Sequence, residues 1–332
     1  MRLAVLSRSA SIHTTRRLLE AARARGVRAR VIDPLDMELG LGDEPRVYWR
    51  RRPFPGADVV IPRVGLSIQP YGLAVVSQLE LLGVPLLNGA YGIGASRNKM
   101  RSLQLLAAGG VAVPRTVMAA EPSGLKEMVR FAGGPPVLLK LLSSNEKTGV
   151  MLCESMESLE AALEAIHGLG QHIVVQQYVR GAKGRDLRVL VVGGEVVAAM
   201  RRSAPAGRFS RTLRRGAQFE KAELAPAYAR AAVDAARVLR LEICAVDMLD
   251  VKGRPLVFEV NASPSIREAE AACGVDVAER ILARALVAAQ GAPAARPLWL
   301  GGEGASSVTE SRPTRRRARG REPSEARRAQ PR

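Results

Sequence analysis

The chain has 332 residues, 47% of them hydrophobic, enough for two or three domains with sizeable cores. Its formal net charge of +18 favours polyanionic partners such as nucleic acid, nucleotide phosphates or acidic peptides, although a compositional preference for Arg accounts for it equally well. No apolar run approaches the roughly 20 residues of a membrane span, and three cysteines and three scattered histidines signal neither a disulfide framework nor a zinc site.

The start "MRLAVLSRSA" reads as an early strand rather than a signal peptide, since its apolar run is short and a helix follows. A soluble cytoplasmic protein is expected. "HTTRRLLEAARARG" predicts a helix ending at Gly26, and "RARVID" a strand. "DVVIPRV" predicts another strand, "GLAVVSQLELLG" a helix and "VPLLN" a strand. This order implies a small parallel sheet covered by helices. "ASRNKMRSLQLLAAGG" reads as one helix stopped by Gly109 and Gly110.

Beyond it the rhythm changes. "PVLLKLL" is a strand with "VMLCES" paired to it, "SMESLEAALEAIHG" a helix and "HIVVQQYV" a strand. "LRVLVVGGEVVAAMRR" predicts a hairpin turning at Gly193-Gly194, and "CAVDMLDVKGRPLVFEVN" a second one, with the helix "APAYARAAVDAARVLRL" between them. "VDVAERILARALVAA" is the last helix. From about Gly291 the chain is rich in Pro, Ala, Ser and Arg, with ten arginines against four glutamates, and reads as a disordered basic tail.

Three features carry chemistry. The hairpin turn near Lys252-Gly253 brings "CAVDML" beside "LVFEVN", so Asp247 lies opposite Glu259 within about one residue, and Asn261 shares the face of Glu259. Unpaired in a core, such groups are very costly; as oxygen ligands they suit Mg²⁺, which needs few protein ligands when phosphates and waters complete its shell. The alternative is a half-exposed hairpin with its acids in solvent. Lys140 is a lone cation in an apolar strand, fit to reach a phosphate or to snorkel to solvent. Asp186 and Arg188 share a strand face, Arg201 and Arg202 close the next strand, and "RFSRTLRRG" adds further arginines, whose forks suit phosphates and carboxylates.

The order of these parts resembles the ATP-grasp carboxylate–amine ligases, and most closely the RimK family, which adds glutamate to the C-terminus of a small-subunit ribosomal protein. The resemblance covers about residues 1–290 and rests on "LSR", "DPL", "IPRVG", "YGLAVVSQLELLG", "NKMRSLQLLA", "RDLRVLVVGGEVVAA", "LRRGA" and "EVNASP". It implies an α/β chain with the ATP-grasp fold. A parallel N-terminal (preATP-grasp) domain over 1–95 precedes two α+β subdomains, central (96–178) and C-terminal (179–290), and the basic tail follows (291–332). Carried over by position, Lys99 and Lys140 contact ATP phosphates, Gln177 and Tyr178 line the adenine, and Asp186 holds the ribose. Arg188 joins the nucleotide-binding set, and Ser210, Arg211 and Thr212 lie on the nucleotide loop. Arg202 contacts phosphate and the acyl intermediate, and Asp247, Glu259 and Asn261 bind two Mg²⁺ or Mn²⁺ ions.

The implied reaction joins glutamate to a protein or peptide C-terminus through an acyl phosphate, in a homo-oligomer, with the tail as a contact for RNA or the ribosome. The same chemistry on a metabolite or carrier protein, and a non-catalytic basic RNA-associated protein, are the alternatives. Three departures bear on them. Where the family has a glycine-rich loop of the form EGTQGIGV, this chain has "SSNEKTGV" (143–150), with Ser144 and Lys147 in place of glycines. The family's acidic hinge residue is Gln177, and its Gly-Leu-Glu-Gly run after "NASP" is "SIRE" (265–268).

Overall fold

Short apolar runs separated by an amphipathic helix can bury both faces only as a parallel sheet with helical crossovers. The computed structural model takes that form at its start; it describes residues 1–119, 125–141, 150–167, 173–182, 185–203 and 218–291. Strand β1 (Arg2–Leu6), helix α1 (His13–Ala24), β2 (Arg28–Ile32), three short strands β3 (Met37–Gly40), β4 (Arg46–Trp49) and β5 (Arg52–Pro53), and β6 (Val59–Pro62) come first. The parallel sheet has the order β2-β1-β6, and β3-β4-β5 form a separate antiparallel sheet that the sequence reading lacks. The expected strand "VPLLN" is reduced to two isolated bridges, Leu86 with Val60 and Asn88 with Leu241.

Helix α2 (Gln69–Leu81) is followed by α3 (Ala90–Arg97) and α4 (Lys99–Ala108). The sequence reads one helix from Ala95 through Asn98 into α4, and lacks the first five residues of α3. The break falls at Asn98, whose ψ of 103° leaves the helical region and whose side chain caps α4 by accepting from the Arg101 amide at 2.9 Å.

A four-stranded antiparallel sheet of order β7-β10-β8-β9 comes next, from β7 (Thr116–Ala119), β8 (Val137–Leu141), β9 (Val150–Cys153) and β10 (Ile173–Gln177), with α5 (Leu125–Phe131) and α6 (Met156–His167). A five-stranded antiparallel sheet of order β13-β12-β11-β14-β15 completes the described chain. It is built from β11 (Arg185–Val192), β12 (Glu195–Ser203), β13 (Gln218–Lys221), β14 (Ile243–Val251) and β15 (Arg254–Asn261), with α7 (Pro226–Val238), α8 (Arg267–Cys273) and α9 (Val277–Gly291). Both hairpins turn where expected, at Gly193-Gly194 and Lys252-Gly253. All four turn residues have positive φ, the geometry of a two-residue turn matched to strand twist.

The parallel and five-stranded sheets share two cores. One joins Leu6, Val60 and Val76 to Val189, Val246 and the α7 alanines; the other joins Leu3, Val5 and Leu18 to Leu190, Ile281 and Leu282. The four-stranded sheet has its own, smaller core around Val137, Leu139, Leu159, Leu163 and Val175. No helix among the described residues is long and apolar enough to cross a membrane.

Candidate active site

The face of the five-stranded sheet covered by α9 is apolar over most of its length, through Leu190, Val192, Ala198, Met200 and Ile243. Strand period two places Arg188 and Asp186 on the face that Leu190 begins, Arg202 on that of Met200, and Asp247 on that of Ile243. Register aligns them across the sheet: Arg202 pairs with Asp186, Arg188 with Asp247, and Asp247 with Glu259. Five charged side chains on four strands thus form one row where the apolar cover ends, with Asn261 two residues beyond Glu259.

The row is tightly bonded. Arg188 donates to Asp247 through Nε to Oδ1 and Nη2 to Oδ2, both at 2.7 Å, a bidentate fork. Arg202 bridges the two aspartates, Nη2 to Asp247 Oδ2 at 2.8 Å and Nε to Asp186 Oδ1 at 2.5 Å. Burial raises the Asp247 carboxyl, but the Arg188 and Arg202 guanidiniums outweigh it and hold Asp247 below its ordinary value. For Asp186, burial is the largest influence; with repulsion from Asp247 it prevails over Arg202 and keeps the group above the usual carboxylate range. Burial lowers both guanidiniums, yet Asp247 leaves each raised.

On β15 a bulge follows Glu259's pairing: Asp247 faces Glu259, but Met248 faces Val257, so Phe258 is the extra residue. The bulge accompanies a contact between sheets, because the Lys140 Nζ of β8 lies 5.9 Å from the Phe258 ring centroid. Lys140 also donates to Gln176 Oε1 at 2.6 Å, and Gln176 Nε2 donates to Thr116 Oγ1 at 3.0 Å. Gln176 is fully buried and absent from the sequence-level site. Its signal was available, since it shares a strand face with Val174, the register partner of Lys140.

Gln177 ends β10, its amide donating to Arg115 O and its Oε1 accepting from the Arg115 amide; Tyr178 follows, half-buried. Lys99 is the first residue of α4, beside the Asn98 break. Ser210, Arg211 and Thr212, the loop residues 143–149 including Lys147, and the tail from 292 lie outside the described residues.

A second residue missed in the sequence is Asn88, 1% exposed. Its Nδ2 donates to Ile243 O and Ala262 O, and its Oδ1 accepts from the Glu242 and Ile243 amides, at 2.8–3.0 Å. It ties the start of β14 to the end of β15 within two residues of Asn261.

The oxygen donors suit a divalent cation. Asp247 Oδ1 accepts one hydrogen bond and Asn261 Oδ1 accepts one, from the Ser263 amide at 2.9 Å, so each keeps lone-pair capacity beside Glu259. Among the described residues no group of three or more His, Cys, Asp or Glu could hold a metal. Two carboxylates and an amide form the sparse oxygen set that Mg²⁺ takes with phosphates and water.

The chain matches the RimK PreATP-grasp domain over residues 1–93 and the RimK-like ATP-grasp domain over 96–285. It belongs to the RimK-like ATP-grasp family. It is 43% identical over 283 residues to a probable alpha-L-glutamate ligase of Thioalkalivibrio sulfidiphilus, covering 85% of this chain and 94% of that one. A protein of the same description in Halorhodospira halophila is 41% identical over the same shares. The RimK domain protein ATP-grasp of Sphaerobacter thermophilus shares the fold at TM-score 0.65 and 23% identity, over 86% of this chain and all of that one. The ATP-grasp ligase PsnB, solved with a minimal precursor, shares it at TM-score 0.69 and 20% identity, over 86% and 98%.

Proposed function

We propose that this RimK-like ATP-grasp chain is an ATP-dependent carboxylate–amine ligase that adds glutamate to the C-terminal carboxylate of a protein or peptide in the cytoplasm. The carrying observation is the charged row, in which Asp247 and Glu259 face each other on the sheet beside the Lys140 strand. An oxygen of the substrate carboxylate attacks the γ-phosphorus of ATP and ADP leaves. The incoming amine then attacks the acyl phosphate, losing a proton as inorganic phosphate departs. PsnB, of the same fold, is solved with Mg and ADP; here Mg²⁺ or Mn²⁺, as two ions on Asp247, Glu259 and Asn261, would neutralise charge on the transferring phosphoryl group.

In this reading Lys140 and Lys99 hold phosphates, Arg202 and Arg188 offset charge along the row, and Gln177 and Tyr178 border the base. Asp186 holds the ribose once Arg202 turns to phosphate. Ser210, Arg211 and Thr212 belong to the nucleotide-binding set by position in the sequence. The division into 1–95, 96–178, 179–290 and the tail is supported by the separate sheets and the two family matches. A homo-oligomer and a polyanion contact through the ten-arginine tail complete the reading. Phosphate release from ATP with glutamate, with and without candidate acceptor peptides, tests it. Acceptor-dependent release with a glutamate-sized mass gain supports it, and ATP turnover indifferent to glutamate overturns it.

A further inference from the structure

Arg63 follows the last residue of β6, at the carboxyl end of the parallel sheet, where its amide donates to Leu6 O of β1 at 2.8 Å. Ligands of α/β sheets gather at this edge, in the crevice beyond the carboxyl ends of the strands. The guanidinium of Arg63 makes no hydrogen bond or ion pair to any described residue, and its Nε is shielded from solvent. Beside it is a second guanidinium, Arg97, the last residue of α3, whose Nη2 donates to Val64 O at 2.9 Å. Burial first, then the charge of Arg97, pushes Arg63 down to about 10. Arg63 as a whole is half-buried; a partly shielded cation with no counter-ion among the described residues, set against a like charge, works against folding. Chains keep such arrangements where a ligand supplies the missing charge.

The surroundings indicate which ligand. The segment after Asn261 docks on this same edge: the Ile266 amide donates to Thr14 Oγ1 of α1 at 3.4 Å, and Thr15 Oγ1 is bonded to Ser7 Oγ at 2.7 Å. Ser263 carries a buried Oγ with no hydrogen-bond partner among the described residues. The carboxyl edge of the parallel sheet therefore adjoins the end of the hairpin that carries Asp247, Glu259 and Asn261. In a ligase the reacting carboxylate is consumed at the phosphoryl group. The amine donor keeps its own carboxylates as spectators, and these need a cationic seat away from the nucleotide. The open fork of Arg63 matches a planar carboxylate, and the Arg97 guanidinium, held on Val64 O, adds positive charge beside it.

We propose that Arg63 and Arg97 form the subsite that holds a spectator carboxylate of the amine donor, an acidic amino acid such as glutamate. This rests on the ligase reading above.

The test is calorimetric titration of L-glutamate, L-glutamine and glutamate α-amide into the full chain with MgADP bound. Wild type, Arg63→Met and Arg63→Lys are compared, with melting curves of each free protein. Arg63→Met should weaken glutamate by about tenfold or more, the worth of a charge-assisted pair, and leave MgADP affinity unchanged. Arg63→Lys should recover part of the loss. Whichever amide binds to wild type and Arg63→Met alike identifies the carboxylate seated. Without ligand, Arg63→Met should melt no lower than wild type, because it removes an uncompensated charge.

Equal glutamate binding by wild type and Arg63→Met would overturn the subsite while leaving the ligase reading intact. Weakened MgADP with unchanged glutamate would reassign the arginines to nucleotide phosphate and also overturn it. A melting point of Arg63→Met well below wild type would make Arg63 a structural residue. Wild type that binds no glutamate would remove both the subsite and the glutamate ligase.

Discussion

Arg188 grips both carboxylate oxygens of Asp247 from the neighbouring strand, each at 2.7 Å, with Asp247 only 2% exposed. Removing one partner of such a pair leaves a buried charge short of compensation. Arg188→Met should therefore destabilise the chain by about 3 kcal/mol, the lower end for breaking a buried pair because Arg202 still holds Asp247. Denaturant melts would show it. Replacing Arg188 and Asp247 together, by Met and Leu, should cost less than the sum of the two single changes.

Glu259→Gln keeps the shape and the strand pairing opposite Asp247 while removing one negative charge from the oxygen set. Turnover with ATP and Mg²⁺ should fall by at least about 100-fold with the melting temperature nearly unchanged, since phosphoryl transfer depends on charge neutralisation at that set. Near-normal Mg²⁺-dependent turnover would remove the metal assignment.

Gln176→Leu deletes the acceptor that holds Lys140 at 2.6 Å and leaves a buried apolar isostere of similar volume. The Michaelis constant for ATP should rise about 3- to 10-fold as the ammonium loses its anchor, the scale of one charged hydrogen bond, with the Michaelis constant for glutamate unaffected. Equal shifts in both would mean a general loss of order instead.

Gly92 of α3 approaches the chain after α7 so closely that an added Cβ would lie 2.7 Å from Leu239 O and 2.8 Å from Arg240 O. Backbone atoms cannot yield as a side-chain tip can. Gly92→Ala should cost about 1–3 kcal/mol by overpacking, read as a lower melting temperature. A neutral result would show that α3 can shift off the 239–241 segment.

Burial pushes the Cys244 thiol up to about 12, and that of Cys153 is also raised by burial. Both should stay protonated and inert to thiol reagents at pH 8 in the folded chain, while half-buried Cys273 reacts. Peptide mapping after a short labelling pulse checks this, and unfolding should expose all three.

Much of this architecture is written in local pattern. Period two sets Asp247, Glu259 and Asn261 on one face, and the Gly-bearing turns at 193–194 and 252–253 fix both hairpins. What escaped has no local signature. The bulge at Phe258 leaves the alternation on either side intact yet accompanies the meeting of Lys140 with that ring. The break at Asn98 was hidden because its flanks share helical composition, although Asn is itself a capping residue. Asn88 looks like a strand's last polar residue, and its four bonds go to residues more than 150 positions away. The β3-β4-β5 sheet was missed because its strands are two to four residues long. Its second turn is also made by Arg50 and Arg51 at positive φ, where glycine or asparagine is the usual signal.

The partition of the cores has a mechanical consequence. Two clusters weld the parallel sheet to the five-stranded one, and Asn88 pins the weld at the hairpin ends. The four-stranded sheet keeps an apolar interior to itself and touches its neighbour through contacts such as Lys140 over Phe258. Rotating it against the rest exposes little hydrocarbon, so parting the two costs far less than unfolding either side. Amide protons of β7, β8 and β10 should accordingly exchange at a common rate, faster than those of β11 and β14, and bound nucleotide, if it bridges the two sheets as proposed, should slow them together.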